Sequence, residues 1–149
     1  MSYQDTPKST DEYHFEHLTP PQFPLAKKFY KSARYPSNIG REDEVYIVRH
    51  QNLIIATLKL VKLDHYLILR SMVVSPLHRR TGVGSFMLHC LAEKLESREC
   101  WCFPFNGLET FYGTIGFKVH LPENSPNIIR QKYQQYFSQG KKIFIMKRD

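Results

Sequence analysis

The first half of the chain is dominated by short runs in which apolar and β-branched residues alternate or cluster, a pattern typical of strands. Residues 13–18 predict a first strand, and residues 20–34, which open with two prolines and continue with helical spacing, predict a first helix. Residues 45–48 and 53–63 predict an antiparallel hairpin, because a short polar turn separates the two apolar runs. Residues 66–75 predict a third long strand, which a proline closes.

The apolar spacing changes to three- and four-residue steps from Gly84 onward, which predicts an amphipathic helix. The later chain predicts short strands at 100–105, 117–121 and 142–147, and helices at 108–115 and 126–139. The order of elements is therefore β-α-β-β-β-α-β-α-β-α-β, without an internal repeat or a linker between domains.

The length of 149 residues favours one domain, which we expect to span residues 13–149 after a loose, polar terminus at 1–12. The 42% content of hydrophobic residues and the mixed charge exclude a disordered chain, and no apolar run approaches the ~20 residues that cross a bilayer. The first residues lack the basic start and the apolar stretch of a secretory signal. We therefore expect a cytoplasmic protein without a membrane partner.

Three cysteines, Cys90, Cys100 and Cys102, cannot form a full set of disulfides. The last two flank a tryptophan in an apolar run, and no second pair of ligands accompanies them as a zinc site would require. We expect three buried thiols and no bound metal.

The formal net charge of +7 attracts polyanions, which could be nucleic acid, an acidic substrate or a cofactor with several phosphates. Basic residues are spread along the chain, apart from clusters at 78–80, 141–142 and 147–148. Charge alone leaves all three alternatives open.

The segment 72–85 joins the third long strand to the amphipathic helix and contains two glycines, Gly82 and Gly84. Glycines let a backbone approach a ligand closely, and the first amides of a helix point outward and attract anions. Arg79 and Arg80 add positive charge, which suits a pyrophosphate better than a single carboxylate. The segment matches neither the G-x-G-x-x-G pattern of dinucleotide folds nor the G-K-[ST] pattern of nucleotide triphosphatases.

Residues 79–84, Arg-Arg-Thr-Gly-Val-Gly, resemble the signature of the GNAT superfamily of N-acetyltransferases, which is Arg or Gln, two residues, Gly, one residue, then Gly or Ala. The strand end at 74–76 resembles the stretch that precedes this loop in the family, and 111–112 with 116–117 resemble its second signature. The resemblance implies a single domain of the α+β or α/β class, with a mixed, mostly antiparallel central sheet flanked by helices. It also implies transfer of an acetyl group from acetyl-CoA to a primary amine by direct attack in a ternary complex.

The resemblance further implies roles for individual residues. The backbone of the strand end would pair with the thioester carbonyl and the pantetheine arm, the amides of 80–85 would hold the pyrophosphate, and the Met72 amide would meet the oxyanion. Asn106 would bond the pantetheine arm, although a helix N-cap explains it equally well. The cofactor-binding residues implied are Met72, Val73, Val74, Arg79, Arg80, Thr81, Gly82, Val83, Gly84, Ser85 and Asn106.

Tyr112 matches the family tyrosine that donates a proton to the departing thiolate or bonds its sulfur, which would make it catalytic; the alternative is a core aromatic. The family often carries a carboxylate on the strand before the acetyl group, but residues 67–71 contain none. If side chains alternate, Arg70 shares a face with Met72 and Val74, and we expect it to bind a carboxylate of the substrate. Candidates for a base that acts through water are Glu44, Asp64, His65 and Glu109.

Two other functions remain open. The missing carboxylate would suit a non-catalytic domain that binds acetyl-CoA or another acyl-CoA as a sensor. Charge and aromatic content would suit a nucleic-acid-binding module, but no matching motif is present and we expect no nucleic-acid partner. We expect a small-molecule or peptide amine as the substrate and a monomer or homodimer as the assembly. The surplus of Lys and Arg in 20–44 and 121–140 mildly favours an acceptor with a carboxylate or phosphate.

Overall fold

The computed structural model describes residues 12–149, so the terminus predicted at 1–12 lies almost entirely outside the described residues. Within them the chain divides into two compact units. The first comprises 12–59 and 71–87, and the second comprises 60–70 and 88–149. The prediction that 13–149 form one domain stays a prediction.

Within residues 12–149, seven strands and four α-helices follow one another in the predicted order. They are β1 (His14–Leu18), α1 (Phe23–Ser32), β2 (Glu44–His50), β3 (Leu53–Leu63), β4 (Tyr66–Val74), α2 (Val83–Lys94), β5 (Cys100–Cys102), α3 (Glu109–Gly113), β6 (Lys118–Val119), α4 (Asn127–Ser138) and β7 (Met146–Arg148). Short 3-10 turns precede α1, α2 and α4, and each begins with a proline, whose fixed φ suits a first helical turn.

The seven strands form one mixed sheet in the order β1-β2-β3-β4-β5-β7-β6. The β4–β5 pair is parallel, whereas β1–β2, β5–β7 and β6–β7 are antiparallel. The turn between β2 and β3 contains Gln51 and Asn52, both left-handed, as a tight hairpin turn requires. The predicted mixed, mostly antiparallel sheet flanked by helices is confirmed.

The core of the first unit lies where α1 covers β2. Phe23 and Ala26 of α1 pack with Val45 and Ile47 of β2 and with Leu18 of β1, and all five side chains are buried. Apolar residues recur on one face of α1, and burial of that face against β1 and β2 holds the helix on the sheet.

The core of the second unit forms around Trp101 of β5, which pairs with Ile68 of β4. Ile129 of α4 and Ile145 complete the buried cluster. The Trp101 indole donates a hydrogen bond of 3.0 Å to the Glu99 carboxylate, so its polar edge is satisfied.

Several elements are shorter than predicted. The strand at 100–105 ends at Cys102, and Pro104 cannot donate to a ladder. The strand at 142–147 is paired regularly only from Met146, although Ile143 forms a bridge with Phe105. Of the three cysteines, Cys100 and Cys102 are buried as predicted, but Cys90 is only half-buried.

None of the helices in residues 12–149 is long and apolar enough to cross a membrane. The same residues contain no group of three or more His, Cys, Asp and Glu side chains that could hold a metal ion.

Candidate active site

Strand β4 runs from Tyr66 to Val74, and Ser71 within it has a left-handed φ of 55°. A residue in this conformation is typical of a β-bulge, which bends the strand and redirects the groups that follow. Serine carries a Cβ, so the conformation costs about 1 kcal/mol and needs support from its surroundings. We call Ser71 the bulge of β4, and it lies directly before Met72, where the family resemblance implies the oxyanion contact.

Two side chains of the first unit hold Ser71. The Tyr30 hydroxyl donates a hydrogen bond of 2.7 Å to the Ser71 carbonyl oxygen, and the Ser37 hydroxyl donates one of 3.0 Å to the Ser71 hydroxyl. Tyr30 is 1% exposed and packs with Phe29 and Val73. Burial raises the pKa of Tyr30 well above its usual value, so the phenol remains a donor.

The loop after β4 is fixed at its start by the Ser75 amide, which donates 2.7 Å to the Ile55 carbonyl oxygen. A 3-10 turn, Pro76–His78, follows, and the Thr81 hydroxyl donates a hydrogen bond to the His78 carbonyl oxygen. Arg80 and Gly82 both have left-handed φ, at 65° and 86°. Such turns direct successive amides toward one side, which is how backbone concavities bind anions.

Helix α2 begins directly after Gly82, and the Phe86 amide donates a hydrogen bond of 2.9 Å to the Gly82 carbonyl oxygen. Amides that precede this bond belong to the first turn, where the helix dipole is positive. The Val83 side chain is fully buried, so it anchors the helix start and can offer a ligand only its backbone. A Cβ built on Gly82 meets nothing within 4 Å, so the space beside the glycine is open.

The loop is strongly cationic. Arg79 and Arg80 are exposed, and residues 72–87 contain no acidic side chain. The Arg79 guanidinium donates 3.2 Å to the Val74 carbonyl oxygen, so in this structure it points back to the strand end. An open glycine, a helix start and two arginines fit a pyrophosphate.

The other predicted site residues, Arg70, Asn106 and Tyr112, belong to the second unit. Tyr112 of α3 is half-buried, with its ring 5.1 Å from Phe111 and 6.1 Å from Phe117 between centroids. Both contacts are edge-on, so these neighbours fix the plane of the phenol.

Two expectations need correction. Asn106 is not an N-cap, because α3 begins at Glu109 and its N-cap residue is Leu108. The expectation that Arg70 shares a face with Met72 and Val74 assumed a regular strand, whereas Ser71 between them has a left-handed φ of 55°. The ligand-binding roles of Asn106 and Arg70 stay predictions.

A sequence profile of the Acetyltransferase (GNAT) domain matches residues 41–119, more than half of the chain, including the whole loop. The protein belongs to the GNAT acetyltransferase family. No curated protein sequence matches the chain significantly. Helix α4 and strand β7 lie beyond the matched residues.

Solved structures of GNAT proteins share this fold at low sequence identity. N-acetylglutamate synthase from Neisseria gonorrhoeae, complexed with coenzyme A and N-acetyl-glutamate, has a TM-score of 0.65 and 17% identity over 91% of this chain, which spans 34% of the synthase. The ribosomal-protein-S18-alanine N-acetyltransferase from Escherichia coli has a TM-score of 0.64 and 16% identity, covering 91% of this chain and 92% of that one. A GNAT family acetyltransferase from Elizabethkingia anophelis with acetyl-CoA bound has a TM-score of 0.60 and 15% identity, covering 93% and 99%. The predicted fold and the predicted class of enzyme, an acetyltransferase, are confirmed.

The candidate bases of this GNAT protein have structural partners. Glu44 accepts a hydrogen bond of 2.9 Å from the Tyr46 hydroxyl. Asp64 and His65 form an exposed pair, 3.3 Å apart, at a hairpin turn, and Glu109 accepts from the Gly107 amide. Glu44 is half-buried and shares the first unit with the loop.

Sequence reasoning missed Tyr30 and Ser37, which hold the bulge from 41 and 34 residues away. The helical spacing of residues 20–34 includes Tyr30 but indicates no role for it beyond packing. A buried phenol usually requires a hydrogen-bond partner, which was the one available signal, but it does not identify the partner.

Proposed function

We propose that this GNAT protein transfers an acetyl group from acetyl-CoA to a primary amine of a small molecule or peptide, by direct attack in a ternary complex in the cytoplasm. The observation that carries the proposal is the cationic loop at the start of α2, where Arg80 and Gly82 are left-handed and Gly82 faces open space. Membership of the family supports the same reaction.

In this proposal the loop holds the pyrophosphate through the amides of 80–85, while Arg79 and Arg80 add charge-assisted hydrogen bonds. The Ser85 hydroxyl can supplement them, and the Thr81 hydroxyl can do so once it leaves the His78 carbonyl oxygen. The backbone of Met72 and Val74 receives the pantetheine arm as an added strand, which requires the Arg79 guanidinium to leave the Val74 carbonyl. Val73 contributes backbone only, since its side chain is in the core.

During transfer the amine nitrogen attacks the thioester carbonyl carbon, the C–N bond forms and the C–S bond breaks. The amine loses a proton to water or a base, because an alkylammonium with a pKa of about 10 is not nucleophilic. We assign the Met72 amide to the negative charge that develops on the carbonyl oxygen, and the Tyr112 hydroxyl to protonation of the departing thiolate.

The test is thermal unfolding with and without acetyl-CoA, combined with release of free thiol in the presence of amines. Ligand at a hundred times its dissociation constant should add about 2.7 kcal/mol to the free energy of unfolding. Stabilisation with thiol release that depends on an amine supports acetyl transfer. Stabilisation without thiol release for any amine would favour an acyl-CoA sensor, and no stabilisation would contradict the proposal.

We predict that Tyr30 is a positioning residue, because its hydroxyl holds the carbonyl oxygen of Ser71, directly before the proposed oxyanion contact. Tyr30→Phe removes the 2.7 Å hydrogen bond to the Ser71 carbonyl but keeps the packing against Phe29 and Val73. We expect kcat to fall roughly tenfold, because small misplacements of oxyanion donors are costly. The KM for acetyl-CoA should change less than about twofold, since the pyrophosphate contacts lie elsewhere.

Tyr35→Phe is the matched control, because Tyr35 is 41% exposed, packs near Tyr30 and loses the same hydroxyl. Its kcat should equal that of the wild type. If Tyr30→Phe lowers the free energy of unfolding by about 1 kcal/mol but leaves kcat unchanged, Tyr30 only stabilises the fold.

A further inference from the structure

A small cavity in the second unit has an unusual lining. Its volume is about 40 Å³, slightly more than the ~30 Å³ that a water molecule occupies in the liquid, so it can take one small polyatomic group. The apolar part of the lining comes from β3, β4 and the segment after β5, and consists of Val61, Leu63, Ile68 and Phe103. The polar part consists of Lys62, Arg70, Lys132 and Tyr136.

Every charged residue that lines the cavity, among the described residues, is cationic. Lys132 lies over the Tyr136 ring with its Nζ 5.4 Å from the centroid, and Lys141 lies over the same ring at 4.8 Å. The ring of Tyr136 therefore attracts the ammonium groups of Lys132 and Lys141, and Arg70 lines the same cavity as Tyr136.

Arg70, Lys132 and Lys141 have no carboxylate partner within residues 12–149, unlike Lys59 and Lys147. Lys59 lies 4.0 Å from the Asp43 carboxylate, and Lys147 lies 3.2 Å from Glu99 and 3.0 Å from Asp149. Burial lowers the pKa of Lys132, and the positive charges of Arg70 and Lys141 lower it further. The cluster is thus a site where the fold concentrates positive charge without neutralising it, and a bound anion would relieve the repulsion.

We propose that Arg70, Lys132 and Lys141 form an anion subsite that binds a carboxylate or phosphate group of the acceptor amine. The inference rests on the proposed acetyl transfer, because it identifies the class of amine that is acetylated. Arg70 precedes Met72, the proposed oxyanion contact, by two residues along β4. The guanidinium provides a planar pair of donors, and the two ammonium groups provide unpaired charge.

The kinetic test compares amines in matched pairs, an amino acid and its amide, which differ only in the anionic group. Arg70→Ala and Lys132→Met should each raise the KM for the acid roughly 10- to 100-fold, as expected for loss of a charged hydrogen bond. They should change the KM for the amide less than about threefold. Lys132→Arg, which keeps the charge, should restore most of the discrimination.

Lys118→Met is the matched control, because Lys118 is an exposed lysine of β6 in the same unit and its loss changes the net charge equally. It should leave both KM values unchanged. Equal effects of Arg70→Ala on the acid and the amide, or an effect of Lys118→Met as large as that of Lys132→Met, would overturn the subsite.

Binding of simple anions in the absence of acetyl-CoA tests the subsite independently of the proposed acetyl transfer. Succinate and inorganic phosphate, at constant ionic strength and without acetyl-CoA, should stabilise the wild type against thermal unfolding but not Arg70→Ala. Succinate without phosphate would identify a carboxylate site, and the reverse would identify a phosphate site. If neither anion binds while acetyl transfer is intact, the subsite is wrong; if an anion binds but acetyl-CoA does not, the subsite stands and the proposed function fails.

Discussion

Gly82→Asp is expected to abolish the stabilisation of the protein by acetyl-CoA. The substitution places a negative side chain in the open space beside the helix start, where the proposed pyrophosphate binds. It also forces a residue with a Cβ into a φ of 86°. We expect the dissociation constant for acetyl-CoA to rise at least about 100-fold, because both the electrostatic attraction and the close approach of the backbone are lost.

The measurement is the shift in unfolding free energy at a ligand concentration that gives about 2.7 kcal/mol in the wild type. In Gly82→Asp the gain should fall to a few tenths of a kcal/mol. Gly140→Asp is the matched control, because Gly140 has nearly the same φ, 84°, and equally open surroundings but follows α4. It should lose similar intrinsic stability while keeping the gain from acetyl-CoA. The same loss in both variants would attribute the effect to backbone strain and contradict the loop as the binding site.

Tyr112→Phe is expected to lower kcat roughly 100- to 1,000-fold, within the range for loss of a general acid. The ring contacts with Phe111 and Phe117 remain, so the fold and acetyl-CoA binding should be unaffected. A thioester with an aromatic thiol, which leaves readily as a thiolate, should show a much smaller defect in the variant. That selective rescue distinguishes protonation of the leaving group from a structural role.

Tyr66→Phe is the control for this prediction, since Tyr66 is another half-buried tyrosine of the second unit, packed edge-on against Trp101. Its kcat should stay within about twofold of the wild type. If Tyr112→Phe retains full activity, Tyr112 is a core aromatic and another group protonates the thiolate.

The loop was predictable from sequence because all of its information is local. Gly82 and Arg79 lie three residues apart, and left-handed turns, helix starts and exposed arginines are encoded by neighbouring residues. The hairpin turn at Gln51 and Asn52 follows the same logic, since polar residues there tolerate left-handed φ. The order of elements was predictable because each strand, helix and turn is likewise marked by residues that are close together in the sequence.

Contacts between distant segments were not predictable. The hydrogen bond from Tyr30 to Ser71 depends on α1 lying beside β4, and the pairing of Lys132 and Lys141 over Tyr136 depends on how the chain leaves α4. The left-handed φ of Ser71 is supported by the side chains of Tyr30 and Ser37, which the sequence of the strand itself does not reveal. The residues proposed to bind the acceptor amine were therefore the least predictable part of the site.

The boundary between the two compact units passes through the middle of β3, β4 and α2. Neither unit is a continuous stretch of chain, so no single cut in the chain separates the two units. A recombinant that takes only the second unit, which contains α4, from another GNAT protein would need crossovers inside β3, β4 and α2, each in register. Point substitutions avoid this requirement, because they leave the register of all three elements intact.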